Sequence, residues 1–496
     1  MIEVMSREGC KELDKCAIEE VGIPSIVLME NAANEVANRI IDLDDKFIIF
    51  CGNGNNGGDG LAIARKLILA GKDVCVVIIS KSKRYSEDFL VNMNILEKIT
   101  NNFIHISDIS DIRLLDRVLN KYRIAIDCIF GVGLNRVLEQ FYIKLIDYIN
   151  ENWKLIISVD TPSGLNSDNG ETMGASIIAN KTYTFEVVKK GFTEYKALSY
   201  LGRIEIIKIG IPDFVKKVKS QKVYILDNDE YGKLLKKRSV YGHKGNYGRV
   251  VILAGCKGYT GAAYISTEAC VRAGAGLTTL VTTKYVQDKL SCKLVEAMTA
   301  NIEQGNDLKE LFKNSNVIAI GPGINKEEQY EDIFRDLIKY KDKKFVIDAG
   351  AFNLIKNSTI INELKERAVL TPHPGEMARL IDNTIEYVEK NRVYVAKKFA
   401  KENKVVVLLK GYNTIITDGE YVYINSTGNS KMASGGMGDC LTGIISALLA
   451  QGHSLMESAL VGAYVHGVAG DLASEGKYST VASEVIENIS KAMNYI

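Results

Sequence analysis

A chain of 496 residues exceeds one ordinary hydrophobic core, since domains run to about 100–200 residues, so two or more domains are expected. With 46% hydrophobic and 25% charged residues it is globular rather than disordered, and a net charge of +1 gives no general affinity for nucleic acid or an anionic membrane. Nine scattered cysteines without C-x-x-C spacing, a charged start (MIEVMSREGCKELDK) and no apolar run near the ~20 residues of a span exclude a zinc or disulfide framework, a signal peptide and a membrane helix; the cytoplasm is the expected compartment.

In chain order, Phe47–Phe50 reads as a strand and Leu61–Leu69 as a helix. Between them lies GNGNNGGDG, whose Gly52, Gly54 and Gly57 have the G-x-G-x-x-G spacing of a dinucleotide turn. Such a site wants an acid roughly 20 residues on, but the next strand, Val74–Ile79, ends in SKSKR. A coenzyme turn also leaves Asn55, Asn56 and Asp59 without a purpose. Further strands are expected at Ile124–Ile129, Leu155–Val159 and Ile204–Ile209. The first two run into polar loops, IAIDCIFGVGL with Asp127, Gly131 and Gly133, and LIISVDTPSGLNSDNG with Asp160, Ser163 and Gly164. Open α/β sheets bind ligands beyond the C-terminal ends of their strands, so these loops form a candidate pocket. Asn56, Asp127 and Ser163 offer only oxygens, which suit a hard cation. Asp160 suits general acid/base work once a ligand covers it.

A join is expected near residue 220, where a strand ends and lysines accumulate (KKVKSQK). The second half is expected to place strands at Val250–Leu253, Leu277–Val281, Val317–Ile320, Phe345–Ile347, Ala368–Leu370, Val405–Leu409 and Thr414–Ile416. Helices are expected at Glu331–Tyr340, Ile385–Glu402 and Leu441–Ala450. Strands alternating with helices imply α/β domains with largely parallel sheets covered on both faces. The most informative stretch is NSTGNSKMASGGMGDCLTGIISALLAQG, where Asp439 follows a glycine-rich turn and opens an apolar helix. Backbone N–H groups at such a helix start make an anion hole, and the Asp can orient or deprotonate an attacking hydroxyl; a simple N-cap is the plainer reading. Lys410 to Thr414, the turn presenting His373, GCKGYTGAA and Asp348 are further parts; the basic HKGNYGR has charge suited to phosphates, but a solvated loop is its plainer reading, as a turn bonded to nearby backbone is for His373. No P-loop sequence occurs.

GIPSIVLMENAA, GNGNNGGDG, DCIFGVGL, SVDTPSGL and TYTFEVVKKGF together resemble the YjeF N-terminal domain, the epimerase of hydrated NADH and NADPH, over about residues 1–215. The resemblance implies a Rossmann-like three-layer α/β sandwich. By position it implies that Asn55, Asn56, Gly57, Gly58, Asp59 and the loop Gly131, Val132, Gly133, Leu134 contact the substrate, and that Asp160 acts at the epimerising carbon. Asn56, Asp127 and Ser163 would hold K⁺. Val132 stands where the family often has Thr.

HKGNYGRV, GYTGAA, GPGI, LTPHPGEMARL and GGMGDCLTG resemble the ribokinase-like NAD(P)HX dehydratase over about residues 225–496. By position, Lys410, Gly411, Tyr412, Asn413, Thr414 and Gly438 would bind an adenine nucleotide, ADP or ATP with Mg²⁺. Ala262, Gly323, His373 and Asp439 would face the hydrated nicotinamide, with Asp439 catalytic. Met437 replaces a small residue, and Gly350 an Asp frequent in the family. Taken together, the resemblances imply a bifunctional repair enzyme whose partners are hydrated NADH or NADPH and a nucleotide, without nucleic acid or membrane, as a homo-oligomer. A small-molecule kinase with an accessory ligand-binding domain, and a nucleotide sensor without turnover, are the rivals.

Overall fold

The structure is a computed structural model and describes residues 1–81, 84–303, 306–325, 328–356 and 359–496; positions 82 and 83 of the SKSKR run lie outside the described residues. The chain divides into two compact units, Ile2–Val223 and Tyr224–Ile496, the second taking in Met1.

The first unit holds seven parallel strands: β1 Lys46–Cys51, β2 Asp73–Ile79, β3 Phe103–Ile106, β4 Ile124–Cys128, β5 Leu155–Val159, β6 Lys181–Phe185 and β7 Arg203–Ile207. Their order is β3-β2-β1-β4-β5-β6-β7. The pleat sends Phe47, Ile49 and Cys51 into one core and Ile48 and Phe50 into another. A parallel sheet packed on both faces demands such an unbroken apolar run. The order reverses between β1 and β4, which opens a crevice at their C-terminal ends. Two of these strands carry too weak a signal to be expected from the sequence. FIHI (β3) is short, and KTYTF (β6) buries its threonines, Thr182 donating to the Leu201 carbonyl at 2.7 Å. Beside this sheet, the short strand Ile2–Met5 pairs in parallel with Val188–Lys189.

In the second unit the order is β10-β9-β8-β11-β12-β13-β14-β15-β16 for β8 Arg249–Leu253, β9 Leu277–Thr282, β10 Met298–Asn301, β11 Val317–Ile320, β12 Lys344–Ile347, β13 Ala368–Leu370, β14 Val406–Leu409, β15 Thr414–Thr417 and β16 Val422–Asn425. All pairs are parallel as far as β14, and β14-β15-β16 then meander antiparallel. The helix Met437–Ala450 is apolar all round and buried at every position from Cys440 to Ala450. It lies so close to helix Thr260–Arg272 that a Cβ on Gly443 would fall 2.2 Å from the Ser266 carbonyl oxygen. The expected helix Ile385–Glu402 is two helices, Ile385–Lys390 and Arg392–Asn403, because Asn391 leaves helical geometry at φ −130° and ψ 31°. The one expected at Glu331–Tyr340 spans Glu328–Leu337.

Candidate functional site

In the first unit the crevice at β1 and β4 is a cavity of about 690 Å³. The expected helix Leu61–Leu69 begins earlier, at Asn55, so Asn55 to Asp59 form its first turns rather than a loop. The glycines serve packing. A Cβ on Gly57 would stand 1.8 Å from the Gly52 carbonyl oxygen, one on Gly52 2.0 Å from that of Ile129, and one on Gly60 2.8 Å from Cys128 Cβ. Gly57 and Gly58 are buried and absent from the cavity wall, which Asn55, Asn56 and Asp59 line together with Gly131 to Leu134 and Asp160.

Asp160 follows β5 with φ +65°, a left-handed conformation that non-glycine residues adopt at a cost of about 1–3 kcal/mol and that clusters at functional sites. Its Oδ2 accepts the Val132 N–H at 2.8 Å and its Oδ1 meets Lys189 Nζ at 2.7 Å. Position 132 therefore holds Asp160 through its backbone, a contact that Val makes as well as Thr. Lys189 escaped the sequence reading although VVKKGF was in view. It is a solvated-looking lysine until the short Val188–Lys189 strand turns it inward, where it is 2% exposed. Burial works to lower its ammonium, but the charges of Asp160 and Cys10 and the Asp160 hydrogen bond outweigh that and raise it. Asp14, from helix Arg7–Lys15, also lines the cavity and was not anticipated either. Asp14 is exposed at the cavity wall, but the protein around its carboxyl, then the Asp160 charge, pushes it up to about 6. Asp59 is raised well above its ordinary value by burial and then by Asp160.

The expected cation ligands fare unequally. Asp127 is fully buried and its two oxygens take four bonds: Ser163 Oγ at 2.5 Å, the Ser163 N–H at 2.8 Å, Ser158 Oγ at 2.8 Å and the Ile129 N–H at 3.2 Å. Asp127 and Ser163 thus satisfy one another and pin the β4 and β5 loops together. Asn56 is buried with neither amide atom hydrogen-bonded, which leaves its oxygen as the open donor of the three.

In the second unit the expected residues gather at the C-terminal ends of β8, β11, β12, β13 and β14. Helix Met437–Ala450 starts from Gly436 at φ +90°, so its first N–H groups have no capping side chain, and Asp439 sits inside the first turn rather than at the cap. Its carboxylate makes no hydrogen bond or ion pair among the described residues. Burial, then the charges of Asp348 and Glu376 against that of Lys410, bring it up to about 7. Lys410 Nζ is 2.7 Å from Asp348 Oδ1 and 3.9 Å from Glu376 Oε2, and Asp348 Oδ2 accepts Thr442 Oγ at 2.8 Å. A Cβ on Gly438 would lie 3.1 Å from Lys410 Nζ, so lysine, acid and helix start share one spot. Residues 410–414 form the β14–β15 turn, with Gly411 at φ +138° and Tyr412 exposed. Ala262 and Gly323 touch: a Cβ on Gly323 would be 2.9 Å from Ala262 Cβ.

His373 is first of all a cap. Its Nδ1 accepts the N–H groups of Gly375 at 3.0 Å and Glu376 at 3.4 Å, while Glu376 Oε2 accepts the His373 N–H at 2.8 Å. Burial, then Lys410, lowers its imidazole, which leaves the ring neutral at pH 7. The basic HKGNYGR loop does not join this site. It ends on Arg249, the first residue of β8, where a Cβ on Gly248 would meet the Ala450 carbonyl at 2.2 Å, at the far end of the Asp439 helix. That 14-residue helix is about 21 Å long.

A family described as YjeF-related protein N-terminus matches residues 25–191, and one described as NAD(P)H-hydrate dehydratase matches residues 250–492. A bifunctional NAD(P)H-hydrate repair enzyme of Moorella thermoacetica is 36% identical over 96% of this chain and 94% of its own. One of Escherichia coli is 31% identical over 90% of this chain and 85% of its own. Among solved structures, a ribokinase-like superfamily protein of Enterococcus faecalis is 29% identical with a TM-score of 0.51, covering 55% of this chain and 97% of that one.

Proposed function

The chain belongs to the family of bifunctional NAD(P)H-hydrate repair enzymes, and from that premise we propose how its two sites divide the work. The first unit interconverts the R and S epimers of hydrated NADH and NADPH. The second dehydrates the S form at the expense of ADP or ATP. Hydration leaves a hydroxyl on C6 of the nicotinamide ring. Hydroxide departs poorly and phosphate departs well, so phosphorylation followed by elimination restores the double bond.

The observation that carries the dehydratase assignment is the unpartnered Asp439 at an uncapped helix start, with its carboxyl brought up to about 7. A base needs a value near the working pH, and this one needs no bond broken before it takes the substrate proton. The adjacent N–H groups and Lys410 receive the transferring phosphoryl charge. Lys410 exchanges part of its contact with Asp348 for phosphate. Mg²⁺ bound to the nucleotide's own phosphates would neutralise part of their charge. In the first unit Asp160 acts at C6, held by Lys189 and the Val132 N–H. The open Asn56 oxygen, beside the paired Asp127 and Ser163, supports an all-oxygen site for K⁺, which would supply positive charge at the substrate. A small-molecule kinase would share the Asp439 site but would leave the Asp160 cavity without a purpose.

The test is recovery of NADH absorbance from mixed R and S hydrated NADH with ADP or ATP. Wild type returns both fractions, Asp160→Ala the S fraction alone, and Asp439→Ala neither. No recovery by wild type with either nucleotide would sink the reading. Potassium-free buffer slows return of the R fraction and spares the S fraction.

A further inference from the structure

The Asp160 cavity holds more acid than base. Five carboxylates line it, Asp14, Asp59, Asp88, Asp160 and Glu186, of which Glu186 is already paired with Lys216 at 2.8 Å. The ammonium that answers them, Lys189, is already bound to Asp160 at 2.7 Å. Lys11 and Arg136 reach the wall as well, and neither pairs with these carboxylates among the described residues. So many carboxylates around one committed ammonium do not all stay ionised. Both Asp160 oxygens are engaged, one by Lys189 and one by the Val132 N–H. Asp59 is 9% exposed, enclosed in its helix turn. Asp14 differs from both: its side chain opens onto the cavity from helix Arg7–Lys15. The groups that face it are Asp160, Lys189 and Glu186, with Asp59 and Cys10 alongside.

We propose that Asp14 is the general acid of the epimerisation, working against Asp160 as the base from another wall of the cavity. This rests on the assignment of Asp160 above. C6 of the hydrate bears its hydroxyl next to the ring nitrogen N1. Asp14 gives its proton to that hydroxyl, the C6–O bond breaks, and water leaves with the bonding pair. The N1 lone pair forms a C6–N1 double bond. A water on the opposite face adds its oxygen pair to C6, the double-bond pair returns to N1, and Asp160 takes the proton of the incoming water. One proton has left Asp14 and one has reached Asp160; solvent exchange resets both. Asp14 is exposed in the empty cavity, where the protein around its carboxyl and then the Asp160 charge raise it to about 6, and a bound dinucleotide that displaces cavity water pushes it further up.

The experiment measures the initial rate of R-epimer conversion by the full-length protein, read as NADH recovered with excess ADP or ATP. S-epimer turnover in the same sample controls for folding and for the dehydratase. Asp14→Asn is expected to slow R conversion about 10²-fold or more with S turnover and the KM for the R epimer unchanged. Asp14→Glu restores much of the rate. Because the acid must be protonated, the wild-type epimerisation rate falls as pH rises above a value of about 6 or higher, and Asp14→Asn loses that fall. A wild-type rate in Asp14→Asn overturns the proposal, as does a slowed variant that keeps the alkaline fall. A wild-type rate in Asp160→Asn overturns the base assignment instead, and the Asp14 result stands to be read separately.

Discussion

At Asp439 the protein accepts a cost to stability for the sake of chemistry. Burial and the charges of Asp348 and Glu376 outweigh Lys410 and lift the carboxyl from 3.8 to about 7. Between those values the unfolded chain has ionised this group while the folded chain keeps it protonated. The folded state binds the extra proton, so its stability falls as pH rises through that window. Asp439→Asn removes the effect. Its Tm should exceed that of wild type above a pH of about 7 and converge on it as pH approaches 4, even though the variant no longer dehydrates the substrate. Thermal scans across that range decide the matter; an equal or lower Tm at high pH would show that the carboxylate is better solvated than its surroundings indicate. Dehydration by wild type should rise through the same region as the base ionises.

Among the elements, the helix ends show how one residue serves two ends. His373 closes a reciprocal cap with Glu376 on helix Pro374–Leu380 and also sits at the mouth of the Lys410 and Asp348 cluster. Losing the cap costs about 1 kcal/mol, whereas Asn keeps it. His373→Ala should therefore lose about that much in urea unfolding, and His373→Asn should lose little of it. A raised KM for the S epimer in both variants places the ring against the substrate; a wild-type KM in His373→Asn reduces it to a cap. The helix Asn55–Leu69 carries the same lesson. Its glycines let strand, helix and β4 loop pack at backbone contact, and its asparagines and Asp59 face the cavity. In the sequence both kinds of residue merge into a single G-x-G-x-x-G match.

For the whole molecule, each unit carries its own core and its own set of reactive side chains. The activities should therefore separate. Asp160→Ala still dehydrates and Asp439→Ala still epimerises, and a mixture of the two variants should return the R fraction that neither returns alone. NADH recovery from purified R hydrate measures this. No recovery beyond the spontaneous rate would show that the epimerised substrate has to pass within one chain.

The sequence by itself determined the class of both units, the strands that bear the sites and most of the polar residues at their ends. Parallel strands buried on both faces need unbroken apolar runs, and the loops after them stand out by contrast. FIHI and KTYTF stayed hidden because a short strand with polar residues has no such run. Only the tertiary structure decided which polar residues work together. Neither Lys189 nor Asp14 stands out by residue type or spacing, and the pairing of Ile2–Met5 with Val188–Lys189 and the cavity wall bring them to Asp160. HKGNYGR has the charge for a phosphate site but stands at the wrong end of its sheet. Residue type and local spacing travel with the chain, whereas the electrostatics of Asp14, Asp160 and Asp439 arise from neighbours far away in sequence, whose distance and burial exist only once the chain has folded.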